Sequence, residues 1–438
     1  MTTATAPAAD GTARSRWMGL AAYGGFGMPL NFLALPLYIT LPEYYARRHG
    51  LELALIGGLL MASRLVDALA DPLIGRWIDH ARRGFGHAGF ILLSLPLMLA
   101  GFAALFLVPP LAGAMAAVWL LVALLIAFTG FSLASIAHNA WGAELSASAA
   151  GRARVVGIRE GFGLAGLMTG ALVPQWGGMP LTTGVLGVLL AGCGAWLVLA
   201  APRPPAGSPG VPPDPATGAW ISGWLLPLSR PGFGALFVVF VVNGIASAVP
   251  ATLLPFFVND ALRLAGYTGA FLGLYFIAGA LSVPLWVRGT RRFGLVRAWL
   301  AGMALAIGGF CWAYFLPGLP EAARLWGFIA VVVASGLALG ADLVAPAALL
   351  AGIMHRSGDS GHASGGYFGL WNFGAKLTLA LAAGLALPLL QVAGYSIGTR
   401  ADPAALTALA ATYCLLPCAL KALAAGILWR TRTHLAGD

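Results

Sequence analysis

Arg64-Leu-Val-Asp67-Ala-Leu-Ala-Asp71-Pro72 stands inside an otherwise apolar run from Ile56 to Ile78. A run of that length matches the roughly 20 apolar residues that a helix needs to cross a bilayer. Ionisable groups at such depth cost roughly 2.5–3.5 kcal/mol each on insertion scales, so their presence there marks function. Asp67 follows Arg64 by three residues and Asp71 follows Asp67 by four. The helical period therefore puts all three on one face. Two carboxylates and a guanidinium on one stripe can bind a small cation, carry a proton, or do both. A purely structural salt bridge is the alternative. One arginine would neutralise one aspartate, however, and leave the second without a purpose.

The rest of the chain has the composition of a membrane protein. It is 59% hydrophobic and 9% charged, against about 25% charged residues in soluble domains. Its net charge of +10 reads as arginine in cytoplasmic loops, and no nucleic-acid partner is expected. The partners implied are a lipid bilayer, a small-molecule substrate and a coupling cation, and the chain is expected to act as a monomer. Twelve spans are predicted, near 17–40, 53–78, 88–108, 114–140, 155–175, 181–201, 232–258, 267–287, 295–316, 323–350, 366–392 and 404–429. The expected organisation is a disordered cytoplasmic N-terminus (1–16), a six-helix bundle (17–201), a Pro/Gly-rich cytoplasmic linker (202–231), a second six-helix bundle (232–430) and a tail (431–438). Arg76, Arg82, Arg83, Arg152, Arg154, Arg288, Arg291 and Arg292 all fall on the side that carries the termini. Both termini are therefore expected to be cytoplasmic, in an inner (plasma) membrane.

The two halves echo each other. Gly75-Arg-Trp-Ile-Asp79-His-Ala-Arg82-Arg83 follows the second span, and Pro284-Leu-Trp-Val-Arg288-Gly-Thr-Arg291-Arg292 follows the eighth. Repeated halves are a common transporter architecture. Asp79, Arg82 and Arg83 are expected to form a cytoplasmic gate of charged pairs.

The motif Gly75-x3-Asp79-His-x-Arg82-Arg83 resembles the loop 2–3 signature of the major facilitator superfamily. A narrower resemblance is to its glycoside–pentoside–hexuronide:cation symporters, the melibiose permease-like family. It rests on Arg64-x-x-Asp67-Ala-x-x-Asp71-Pro72-x-x-Gly75, on Glu144-Leu145, on Arg152-x-Arg154-Val155 with Arg159-Glu160, and on Lys376 in the eleventh span. The resemblance implies an all-α polytopic fold of twelve transmembrane helices in two pseudo-symmetric bundles. It also implies that Asp67 and Asp71 hold the coupling cation, Na⁺ or H⁺, with Arg64, with Ser132 as a helix 4 hydroxyl and with Lys376 nearby. No metal beyond that Na⁺ is implied, and no cofactor. The chain departs from the family at Pro29 and Ser135, which stand where its sugar-contacting aspartates align, and at Gly352-Ile-Met354-His355-Arg356, which replaces its acidic motif after helix 10.

Other polar residues in apolar spans are candidate substrate contacts: His138, Asn139, Arg159, Asp342, Trp371 and Asn372. Asp342 is expected either to face the cavity or to pair with Lys376, because an unpaired buried carboxylate is costly. A lysine one-third of the way along an apolar span must likewise find an anion, so Lys376 is directed to the helix 2 carboxylates or to Asp342. Lys421 is expected to snorkel to an interface. Cys193, Cys311, Cys414 and Cys418 read as small core residues. No nucleophile–base pair argues for an enzyme. The reading is a cation-coupled symporter of a small solute by alternating access, sugar-like by family. The alternatives are a lysophospholipid or amphiphile transporter, and a non-transporting factor that assembles a membrane complex.

Overall fold

The computed structural model describes residues 9–34, 36–109, 111–203, 222–264, 266–361, 363–392 and 403–436, and every regular element among them is helical. The helices are α1 (Ala9–Gly25), α2 (Gly27–Phe32), α3 (Leu41–His49), α4 (Leu53–Phe106), α5 (Gly113–Glu144), α6 (Ala149–Ala200), α7 (Phe233–Phe256), α8 (Thr268–Phe293), α9 (Leu295–Ala313), α10 (Glu321–Arg356), α11 (Ser364–Val392), α12 (Pro403–Arg430) and α13 (Arg432–Ala436). α1 begins at Ala9, eight residues ahead of the expected first span, so part of the terminus expected to be disordered is helical. The centre of the expected linker, 204–221, lies outside the described residues. Its far end forms a 3₁₀ turn over Ser222–Ser229.

Two helices are too long to be single passes. α4 has 54 residues, or roughly 80 Å of rod at about 1.5 Å per residue, against a hydrocarbon core of roughly 30 Å. It breaks at Gly86, whose φ of 61° and ψ of 169° no other residue type adopts cheaply. α6, with 52 residues, breaks at Gly177 and Gly178 between Pro174 and Pro180. Each of these rods is therefore two passes folded back on itself.

Among the described residues, eight stretches are long and apolar enough to cross a membrane, including Gly84–Phe106, Gly113–Glu144 and Glu321–Arg356. The leg of α4 that carries Arg64, Asp67, Asp71, Arg76 and Asp79 is not among them. Its charges set it apart from its apolar neighbours. The architecture is that of a polytopic all-helical membrane protein.

The chain divides into two compact units. One comprises residues 1–67, 80–146 and 158–208; the other comprises 68–79, 147–157 and 209–438. In the first unit, fully buried Tyr23 of α1 and Phe26 just after it pack on His138 of α5, with ring centroids 4.4 and 5.3 Å apart. In the second, α10 packs along α8 and α9, while α7 packs along α11 and α12. Its core joins Phe257, Phe271, Phe328 and Tyr413, and the rings of Phe257 and Tyr413 stack at 4.1 Å.

Candidate functional site

Two carboxylates of α4, Asp67 and Asp71, are buried. Asp67 is 7% exposed and Asp71 is fully buried, although many of their apolar neighbours, such as Leu65, Leu69 and Leu73, face outward. This inverts the usual sorting, in which carboxylates seek the surface. It is the arrangement expected of a helix with lipid on one side and polar partners on the other.

Within the first unit, fully buried Ser132 of α5 donates its hydroxyl to Asp67 Oδ1 at 2.8 Å. Ser135, one turn on, donates to the Ser132 carbonyl at 3.2 Å. Arg64 lies on the same stretch of α4, half-buried.

Within the second unit, the 68–79 stretch of α4 runs against the first turns of α11. Lys376 Nζ lies 2.6 Å from Asp71 Oδ2. Gly369 packs on the backbone of Asp71 and Pro72, and Gly75 packs on the backbone of Gly365. A Cβ at either member of the Gly75–Gly365 pair would collide with the other's backbone, so glycine is what lets the helices touch. The seam ends at Asp79. Its two carboxylate oxygens accept the backbone N–H groups of Gly365 and Gly366, each at 2.7 Å. Those groups open α11 and have no partner within their own helix, and the positive end of the helix dipole favours an anion there. Asp79 is thus an N-cap supplied from another helix. The side chains of Arg82 and Arg83, expected beside it, lie outside the described residues. A further arginine, Arg152, is buried in the same unit, where its Nε donates to the Ala348 carbonyl of α10 at 3.2 Å.

Two of the expected substrate contacts come together in the first unit. Arg159 of α6 donates to Asn139 Oδ1 of α5 and to Glu160 Oε1, the latter through Nε at 3.0 Å. The Arg159 and Glu160 side chains are only 13% and 19% exposed. Glu160 joins this cluster although its type and position had assigned it no role. His138 is placed differently. It is fully buried, and its Nε2 donates to the Tyr23 carbonyl at 2.8 Å while Tyr23 Oη donates to the His138 carbonyl at 3.1 Å. These reciprocal bonds tie α1 to α5. In the second unit Trp371 is buried and stacks on Phe240 with centroids 3.8 Å apart, one residue before half-buried Asn372.

Asp342 pairs with Lys421 and not with Lys376. The distance is 2.8 Å, and Lys421 is 5% exposed, so its expected snorkelling is corrected. Asn243 of α7 completes the arrangement. Its Oδ1 accepts from Lys421 at 2.8 Å and its Nδ2 donates to Asp342 Oδ1 at 3.0 Å. Trp299 of α9 donates its indole N–H to the same oxygen at 2.8 Å. A free ammonium in an apolar helix must be paired. The chain has two lysines, and each meets an aspartate, fully buried at Asp71 and half-buried at Asp342. A signal for this second pair was available, because Asp342, Lys421 and Asn243 all interrupt apolar spans.

A family model described as MFS/sugar transport protein matches residues 17–434. No curated protein sequence matches the chain. Among solved structures, a bacterial homologue of the iron transporter ferroportin in its outward-facing state is similar, with a TM-score of 0.68, 13% identity and coverage of 95% of this chain and 100% of that one. The human organic anion transporter MFSD10 (TETRAN) gives 0.66 and 16% identity over 94% and 99%. A variant of the E. coli fucose:proton symporter, FucP, gives 0.64 and 14% identity over 95% and 98%. At these identities the likeness is one of fold.

Proposed function

Since the chain belongs to the MFS/sugar transport protein family, we propose that it is a secondary transporter that couples the entry of a small cation, Na⁺ or H⁺, to symport of a small solute by alternating access. The observation that carries this reading is the Lys376–Asp71 contact at 2.6 Å, made to a carboxylate with no solvent exposure.

In this proposal the ammonium of Lys376 stands in for the coupling cation when the site is empty. Asp67 and Asp71 occupy successive turns of one helix, so two like charges share a small volume and need a positive counterpart. A cation taken up by these carboxylates satisfies Asp71 and removes the reason for Lys376 to stay. Lys376 is on α11, which is also fastened to α4 by the Gly75–Gly365 approach and by the Asp79 cap. Loading the cation therefore weakens one end of a seam whose other end is held by a single carboxylate. The ion interacts differently with the fastened and released arrangements, as it must if its binding is to shift their populations. Asp79 serves as the gate residue.

Arg159 and Asn139 are the proposed contacts for a polar solute in the first unit; Asp342, Trp371 and Asn372 are separate candidates in the second. His138 supports the placement of the first pair through its bonds to α1. With Pro29 and Ser135 at two of the departing positions, solute class is assigned no more finely than small solute. The arginine distribution supports a plasma-membrane protein with both termini in the cytoplasm.

The test is counter-flow in proteoliposomes across a panel of labelled sugars, organic anions and lysolipids, run with and without Na⁺ and with and without a proton gradient. The expected result is uptake of at least one solute that rises with one of the two ions. In Asp71→Asn, accumulation should vanish while downhill exchange of that solute persists. If Asp71→Asn and Asp67→Asn both accumulate solute as the parent does, the cation reading fails.

A further inference from the structure

The second unit holds a cavity of about 350 Å³, open on one side, between α7, α8, α9, α10, α11 and α12. The α4 carboxylates do not line it. Its wall is mostly apolar and aromatic, with Phe271, Tyr275, Phe310 and Phe328 among the lining side chains. Ser247 and Thr378 also line it, and two further polar points stand out. One is the Lys421–Asp342 pair, both members of which line the cavity. The other is Ser335, which is 7% exposed and whose Oγ has no hydrogen-bond partner among the described residues.

Both points have an open capacity. Lys421 has three N–H donors, and two are directed at Asp342 and Asn243. Ser335 can donate one hydrogen bond and accept others, and a buried hydroxyl left unpaired costs about 1–3 kcal/mol. Ser335 and Asp342 lie on the same helix, seven residues apart, which is two turns and roughly 10 Å along one face. The cavity thus has a donor-rich end, an apolar middle and an unsatisfied hydroxyl about 10 Å away.

Charge decides what fits. Lys421 and Asp342 already cancel, and Asn243 and Trp299 satisfy the carboxylate further. A solute with net charge would bring an uncompensated ion into an apolar chamber, which is strongly unfavourable. A solute without net charge is not penalised in this way. The volume lies at the small end of the 300–1,000 Å³ range of ligand pockets.

We propose that this cavity is a binding site for an uncharged, mainly apolar solute with two hydrogen-bonding groups about 10 Å apart, one met by Lys421 and the other by Ser335. The site goes beyond the cation-coupled reading, and its occupancy can be measured without any transport.

The experiment uses the full chain in lipid nanodiscs and radiolabelled octane-1,8-diol as the probe, in equilibrium dialysis against empty nanodiscs. The expected result is a saturable component of one diol per protein, displaced by unlabelled 1-octanol but not by octanoate or octylammonium at the same concentration. Ser335→Ala should weaken the affinity about fivefold, the effect of one hydrogen bond. Leu272→Trp, which fills the cavity from α8, should remove the saturable component. The proposal is overturned if protein-containing discs retain no more diol than empty ones. It is equally overturned if octanoate or octylammonium displaces the diol as well as 1-octanol does, or if Ser335→Ala binds it unchanged.

Discussion

At the scale of single residues, the two lysine–aspartate pairs, each with one buried member, invite the same test with different expected answers. Breaking a buried pair leaves one ion uncompensated and costs about 3–5 kcal/mol, whereas removing both charges together is often neutral. For Asp342 and Lys421, the single changes Asp342→Leu and Lys421→Met should each lower the thermal midpoint of the protein. The double change should recover only part of the loss: no uncompensated charge remains, but the buried Asn243 and Trp299 N–H groups lose the carboxylate that accepts from them. A double variant as unstable as the sum of its parts would show that the pair acts through its separate contacts. For Lys376 and Asp71 the stability pattern should be similar, but function should not return. Lys376→Ala with Asp71→Asn should be less damaging to stability than the sum of the singles and should still fail to accumulate solute, since no ion site is left to couple. Accumulation by that double variant would separate the pair from energy coupling.

At the scale of helices, the α4–α11 seam has an observable of its own. The Asp79 carboxylate holds the first free N–H groups of α11 at Gly365 and Gly366. Removing an N-cap acceptor costs roughly 0.5–2 kcal/mol. Asp79→Ala should therefore speed hydrogen–deuterium exchange over the peptide 363–370 by about 3- to 30-fold, and Asp79→Asn, which keeps one acceptor oxygen, by less. Gly75→Val should produce the same rise without touching the carboxylate, because its branched side chain meets the Gly365 backbone. Equal exchange in parent and Asp79→Ala proteins would mean that the cap is open most of the time. A second fastening lies at the other side of the α10–α11 connection. Arg230 forms a bidentate pair with Asp359, at 2.8 and 2.7 Å, and Tyr367 Oη donates to the same carboxylate at 2.7 Å. The hydrogen bonds to Asp359 hold the Arg230 guanidinium above its usual pKa, so it stays charged at any working pH.

At the scale of the whole molecule, the division into units does not follow the chain's midpoint. Residues 68–79 and 147–157 group with 209–438. They bring with them the partner of Lys376, the cap of α11 and the arginine that bonds the Ala348 carbonyl. A fragment spanning 209–438 thus lacks groups that its own helices need. Expressed alone, it should be aggregation-prone and show fast exchange at the start of α11. Co-expression with 1–208 should restore a folded species by size-exclusion chromatography. Recovery of a monodisperse, exchange-protected 209–438 by itself would show that the borrowed segments add little to its stability.

What the amino-acid order determined by itself is everything that depends on neighbours along the chain. The apolar runs set the membrane class and the breaks between spans, because bilayer thickness and helical rise fix the length each run must have. The three- and four-residue spacings placed Arg64, Asp67 and Asp71 on one face for the same local reason. The predicted spans end and restart on either side of Gly86 and of Gly177–Gly178, and there the structure breaks its two longest helices. Tertiary structure alone decided which charge meets which. Lys421 reads as a residue able to reach an interface, yet its partners Asn243 and Asp342 lie 178 and 79 positions away. Nothing local distinguishes it from Lys376, since both are ammonium groups in apolar helices that must find an anion. The same holds for Asp79, which caps an N–H group 286 positions further along the chain. Burial makes each of these charges seek a partner, but only the packing of the helices determines which partner is within about 3 Å.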